Sequence, residues 1–131
     1  MKIAIFGTGY VGLVSGVCLS EIGHEVICVD VDKNKIEKLK NGIPTIHENG
    51  LKKLLSKKIK SESISFTDDA SFAVKKSKVI FIAVGTPENN DGTANMVYVN
   101  KVSETIGKNI NGYKVIINKS TMPVGSAKKV D

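Results

Sequence analysis

Gly7-Thr8-Gly9-Tyr10-Val11-Gly12 spaces three glycines as G-x-G-x-x-G, directly after the β-branched run Lys2 to Phe6 and directly before a helix-forming stretch. Each glycine has its own physical use in that setting. Gly7 permits a tight turn, Gly9 lets the backbone approach a pyrophosphate, and Gly12 allows a helix to pack closely on a strand. The amides that open the helix, those of Tyr10 and Val11 among them, then face the phosphates, and the helix dipole favours negative charge there. Alone, such a motif also marks ordinary turns. Placed between a strand and a helix, it meets the structural condition for a dinucleotide fingerprint.

Asp30 supplies the second part of the chemistry. It follows Gly12 by 18 residues (30 − 12), close to the roughly 20-residue offset of a ribose-binding acid. A carboxylate at the end of the second strand can accept hydrogen bonds from both adenosine ribose hydroxyls, and it repels the 2′-phosphate of NADP. NAD is therefore the favoured cofactor. Asp32 is the competing acid, but its place just before a helix suits a cap better. Lys35 would weaken the preference for NAD if it reached a 2′-phosphate; by spacing alone it reads equally well as a solvated helix lysine.

The elements that must position these residues follow from periodicity and breakers. Strands are expected at Lys2–Phe6, Glu25–Val31, Ser63–Phe66, Val79–Val84 and Lys114–Asn118. The six-residue apolar run from Val79 has the signature of a central parallel strand covered on both faces. Between the strands, Leu13, Val14, Val17, Cys18 and Ile22 follow helical spacing up to a stop at Gly23. Ile36 and Leu39 mark a helix capped by Asp32 and ended by Asn41-Gly42. Leu51, Leu54, Leu55 and Ile59 mark another. Thr67 or Asp68 caps a helix running to about Lys75, and Val99, Val102, Ile106 and Ile110 mark one that Gly112 breaks. Strands alternating with helices imply an α/β fold, a Rossmann-type doubly wound parallel sheet.

Composition narrows the partners. At 131 residues with 41% hydrophobic content, the chain suits one globular domain. No apolar run reaches the roughly 18 residues of a membrane span, and the apolar start is too short for a signal peptide. No membrane partner and a cytoplasmic location are the expectations. The net charge of +6 comes from 19 basic residues, all lysine. They are spread along the chain, concentrating only at Lys52, Lys53, Lys57, Lys58 and Lys60, which read as a solvated helix face. Without arginine, the side chain best shaped for bidentate contacts to guanine and phosphate is missing, so no nucleic-acid partner is expected. Cys18 and Cys28 lie ten positions apart, which fits neither a redox pair nor a zinc site; both are expected to be buried free thiols. His47 beside Glu48 has no second histidine nearby except His24, and no metal is expected.

Four segments, in order, resemble the UDP-glucose/GDP-mannose dehydrogenase family over essentially the whole chain. They are Gly7 to Val14, Val29-Asp30-Val31-Asp32-Lys33-Asn34-Lys35, Val84-Gly85-Thr86-Pro87 trailed by Asp91-Gly92, and Lys119-Ser120-Thr121-Met122-Pro123-Val124-Gly125. The third and fourth are the more selective, and the fourth looks most like the branch that acts on UDP-glucose. One departure is Glu48-Asn49-Gly50-Leu51, where the family usually has proline in place of Asn49. The resemblance implies an oxidoreductase that converts UDP-glucose to UDP-glucuronate with two NAD. It carries cofactor contacts onto Val11, Asp30, Lys35, Thr86 and Thr121, beside Gly7, Gly9, Tyr10 and Gly12 of the loop. It further implies that residues 1–131 are the NAD-binding domain, cut before a linker helix and a nucleotide-sugar domain. That later domain would hold most of the UDP-glucose and the cysteine that captures the intermediate aldehyde and forms a thioester. No catalytic residue is expected in residues 1–131, and the full-length protein is expected to be a homodimer. Other branches, oxidising GDP-mannose or a UDP-N-acetylhexosamine, would share this domain. A non-catalytic NAD-binding module and a basic nucleic-acid module stand as readings of other classes.

Overall fold

The computed structural model describes residues 1–44, 50–84 and 97–118, with Tyr10 and Tyr98 given by their backbone alone. In chain order the elements are β1 (Lys2–Phe6), α1 (Tyr10–Ile22), β2 (Glu25–Val29), α2 (Lys33–Lys40) and α3 (Leu51–Lys60). They continue with β3 (Ile64–Thr67), α4 (Ala70–Lys76), β4 (Val79–Ile82), α5 (Val97–Asn109) and β5 (Val115–Asn118). All five strands run parallel in the order β3-β2-β1-β4-β5. The chain winds outward from β1 to β3, then crosses back to place β4 on the other side of β1. That reversal opens a crevice beyond the carboxyl ends of β1 and β4, where open parallel sheets bind their ligands.

Alternation along the strands sorts side chains to two faces. Ile3 and Ile5 join Val26, Cys28, Ile64 and Phe66 beneath Leu13 and Val17 of α1, Ile36 and Leu39 of α2, and Leu51 and Leu55 of α3. Ala4 and Phe6 turn the other way, joining Val29, Ile80 and Ile82 against Ala73 and Val74 of α4 and Val99 and Ile106 of α5. Because both faces are covered, β1, β2, β4 and β5 carry apolar runs, whereas β3, on a sheet edge, alternates. The doubly wound fold expected from the sequence is the fold observed.

The differences are local and have causes. The ladder of β2 ends at Val29 instead of Val31, because the Asp30 carboxylate accepts the Asp32 amide at 2.9 Å and turns the chain. Short side chains that bond nearby backbone compete with a ladder in this way. β4 likewise stops at Ile82, and β3 is shifted by one residue. The cap of α4 is Asp69, whose Oδ1 accepts the Phe72 amide at 3.1 Å, not Thr67 or Asp68. Thr67 instead accepts the Asp69 amide through Oγ1 at 3.0 Å.

On α1 the apolar stripe had the wrong members. Ile22 is 73% exposed and Cys18 is exposed, so the expectation of two buried thiols holds for Cys28 alone. The helix is apolar nearly all round, so periodicity discriminates poorly. Its buried side is built from Leu13, Val17 and the small residues Gly16 and Ser20. A Cβ on Gly16 would stand 3.0 Å from the Cys28 Sγ and 3.3 Å from Ile5, so α1 lies close on the sheet because its contact residues are small. Within the lysine cluster of α3, Lys58 departs from a solvated face. Its side chain is largely buried and pairs with Glu21 of α1 at 3.1 Å. Ile110, placed on the α5 stripe by spacing, is exposed beyond the end of the helix.

Candidate functional site

The glycine loop sits at the carboxyl end of β1 and is tightly folded. The Gly7 amide donates to the Val29 carbonyl at 2.8 Å, bending the chain across the end of β2. Gly7 has φ +105°, and a Cβ there would stand 2.6 Å from the Ala83 carbonyl oxygen. Both facts require glycine. Gly12 is required where the first turn of α1 packs against the backbone that leaves β1. A Cβ on it would run into the Gly7 carbonyl oxygen, with the Ala83 Cβ the next obstacle at 3.5 Å. The first and last glycines of the motif therefore fit each other.

Gly9 is different. Its φ of −75° and ψ of −163° suit any residue, it is exposed, and a Cβ there would meet nothing within 4 Å. The fold itself does not demand glycine here. Gly9 is also the N-cap of α1 and offers no side-chain cap, whereas α2 and α4 are capped by Asp32 and Asp69. Nor does the first turn of α1 carry an acidic residue. An uncapped helix start with open space in front of it suits an anion.

Asp30 joins this loop at the end of β2. Its Oδ2 accepts the Thr8 amide at 3.1 Å and the Thr8 hydroxyl at 2.6 Å, and its Oδ1 accepts the Asp32 amide. Burial pushes the Asp30 carboxyl up, but the Thr8 hydroxyl, the Asp32 and Thr8 amides and the Lys35 charge together hold it below its ordinary value. It is a carboxylate at neutral pH, as an acceptor for ribose hydroxyls must be. Asp32 serves as the cap foreseen for it, its Oδ1 accepting the Asn34 and Lys35 amides at 2.9 and 3.2 Å.

The structure thus brings Gly7, Gly9, Gly12 and Asp30 together at one edge of the sheet. Val11 lies exposed on the first turn of α1, and Lys35 lies on the first turn of α2 with its charge acting on Asp30. The Tyr10 side chain, Thr86, Thr121, His47 and Glu48 fall outside the described residues. Thr8 was missed from the sequence, because the fingerprint leaves its second position unspecified; a buried hydroxyl there is visible only in three dimensions. Among the described residues no group of three or more His, Cys, Asp or Glu can hold a metal. Cys28 lies wholly buried in β2, and burial pushes its thiol up to about 12.

The family model of the UDP-glucose/GDP-mannose dehydrogenase family, NAD binding domain, matches residues 1–131. The chain belongs to that family. As its NAD-binding domain it takes NAD as cofactor, which agrees with an acid at position 30 and an uncapped glycine loop. Over 129 residues it is 52% identical to the UDP-glucose 6-dehydrogenase TuaD of Bacillus subtilis, covering 98% of this chain and 28% of that protein. Among solved structures it resembles a ternary complex of GDP-mannose dehydrogenase from Pseudomonas aeruginosa, with TM-score 0.94 and 39% identity. That match covers 99% of this chain and 30% of the other. It also resembles a UDP-glucose dehydrogenase from Pyrobaculum islandicum, with TM-score 0.92 and 34% identity over 98% of this chain and 32% of the other. The chain therefore spans about a third or less of the length of these dehydrogenases.

Proposed function

We propose that the chain is the NAD-binding part of a UDP-glucose 6-dehydrogenase, and that its glycine loop and Asp30 are the adenosine-diphosphate half of the NAD site. The observation that carries the site is the Thr8–Asp30 contact at 2.6 Å, which makes the phosphate cradle and the ribose acid one unit. In this reading the uncapped start of α1 holds the pyrophosphate, Gly9 lets it approach, and Asp30 accepts a ribose hydroxyl on Oδ1, the other of the two expected contacts being lost to the Thr8 and Asp32 bonds. Val11 and Lys35 flank these groups, and Thr86 and Thr121, which follow β4 and β5 in sequence, supply contacts toward the nicotinamide. NAD supplies the hydride acceptor; the chain supplies its orientation.

The choice of UDP-glucose rests on the 52% identity to a UDP-glucose 6-dehydrogenase. The second reading, GDP-mannose, is favoured by the 39% identity and 0.94 TM-score to a dehydrogenase of that sugar. In either, most of the sugar nucleotide is held outside residues 1–131. A homodimeric full-length protein, as the family resemblance implies, and a cytoplasmic location complete the proposal. No helix among the described residues is long and apolar enough to cross a membrane.

Calorimetric titration of NAD and NADP into the chain tests the site. NAD is expected to bind more tightly, and equal or tighter NADP binding overturns Asp30 as the ribose acid. Asp30→Ala is expected to weaken NAD by about 1.5–3 kcal/mol, the scale of hydrogen bonds to a charged group.

A separate assay concerns turnover. The chain is expected to bind NAD without sustained NADH production from UDP-glucose. Cys28 is sealed in the core with its thiol pushed up to about 12, which suppresses the thiolate. Cys18 lies eight residues (18 − 10) along α1 from its start, about 12 Å from the loop at 1.5 Å per residue. Steady NADH formation that disappears in Cys18→Ser would place the thiol of the reaction within these residues.

A further inference from the structure

We infer that Thr8 is a positioning residue for Asp30, fixing the ribose-binding carboxylate onto the glycine loop before any cofactor arrives. The inference rests on the reading of Asp30 given above and adds a residue that the glycine fingerprint does not specify.

Thr8 is polar yet has 0% exposure, at the carboxyl end of β1 where the chain turns into the loop. Its two donors converge on a single oxygen: the hydroxyl reaches Asp30 Oδ2 at 2.6 Å and the amide reaches it at 3.1 Å. The hydroxyl contact is short, as expected of a charge-assisted bond to a carboxylate. An ionised carboxylate has about four acceptor sites. Thr8 fills both on Oδ2, and the Asp32 amide takes one on Oδ1 at 2.9 Å. The capacity left for a ribose hydroxyl therefore lies on Oδ1, whose direction the other three bonds already set.

This arrangement has two consequences. The carboxylate does not have to be ordered when the cofactor binds, which removes part of the cost of association. The loop that receives the pyrophosphate and the acid that receives the ribose are also tied through one side chain, so a shift in one is felt by the other. The amide contact survives any substitution at position 8 that keeps the backbone in place. The hydroxyl contact does not, so the role can be tested with side chains of nearly equal size.

The test is NAD titration into the chain and its Thr8→Val, Thr8→Ser, Asp30→Ala and Thr8→Val/Asp30→Ala variants, with thermal unfolding of each as the control for folding. Thr8→Val keeps the shape and removes the hydroxyl; it is expected to weaken NAD about tenfold, equivalent to about 1.4 kcal/mol. Thr8→Ser restores the hydroxyl and is expected to bind within about threefold of the parent. In the Asp30→Ala background the Thr8→Val penalty is expected to vanish, because residues that act through one contact are not additive. Parent-like affinity in Thr8→Val, a loss in Thr8→Ser as large as in Thr8→Val, or an undiminished penalty without Asp30 each overturns the positioning role. Undiminished NAD binding by Asp30→Ala removes Asp30 from the site and overturns the underlying reading as well. Weakened binding by Asp30→Ala beside intact binding by Thr8→Val overturns the positioning role alone.

Discussion

Gly9→Val is expected to abolish measurable NAD binding, a loss of at least a hundredfold or roughly 2.7 kcal/mol, while the variant stays folded. The two halves of this result have separate grounds. Gly9 occupies an extended conformation open to any residue, and nothing in the chain lies within 4 Å of the added Cβ. Valine is a poorer N-cap than glycine, so a stability cost of about 1 kcal/mol is expected. The space the side chain fills, however, is the space in front of the uncapped start of α1. A pyrophosphate must enter it to meet the backbone amides. Calorimetry with NAD and a denaturant titration on the same sample separate the effects. Retained affinity would mean that the glycine loop is a turn only and that the cofactor lies elsewhere.

This contrast explains how much of the site was legible in the sequence. The spacing of Gly7, Gly9, Gly12 and Asp30 pointed to both the loop and the acid: Gly7 and Gly12 answer to backbone sterics, Asp30 to charge, and Gly9 to the ligand expected in front of it. Asp32 was read correctly as a cap for the same reason. Thr8 was invisible, because its role depends on a carboxylate 22 residues away and no local rule demands a hydroxyl between the two glycines. The reason for Gly12, close packing of helix on strand, takes a specific form. Its tightest neighbour is the Gly7 carbonyl inside the same loop, a contact that appears only once the loop has closed.

The fold shows the same division. Apolar runs marked β1, β2, β4 and β5, since a parallel sheet covered on both faces leaves little room for polar residues there. They placed strand ends less well: the Asp30 carboxylate turns the chain after β2, whereas β3 runs one residue further than expected, with Thr67 paired to Val29. On α1 the hydrophobic pattern misled, assigning Cys18 and Ile22 to the core. Close approach to the sheet is made there by Gly16, and a residue without a side chain carries no hydrophobic signal. The buried face combines Leu13 and Val17 with residues small enough to let the helix come close.

The last expectation follows from the two glycines that fit each other. Gly12→Ala should damage the fold itself and lose NAD binding as a consequence. A Cβ at Gly12 collides with the Gly7 carbonyl oxygen, which is backbone and cannot swing aside as a side chain would. Gly7 is itself held from two sides: its amide is bonded to the Val29 carbonyl at 2.8 Å, and a shift toward β4 meets the Ala83 carbonyl. Relief must come from moving the start of α1, whose Leu13 and Val17 are buried in the core over β1 and β2. Overpacking of well-packed interiors costs about 1–3 kcal/mol, and a clash with immobile backbone belongs at or above the top of that range. For a domain of this size that corresponds to a fall in Tm of roughly 10 °C, against a total stability of about 5–15 kcal/mol. Thermal unfolding of Gly12→Ala beside Gly9→Val is the measurement. The two variants are expected to be equally poor at binding NAD and far apart in Tm. A Gly12→Ala variant that unfolds with the parent would show that the loop opens freely, and that Gly12, like Gly9, is glycine for the ligand's sake.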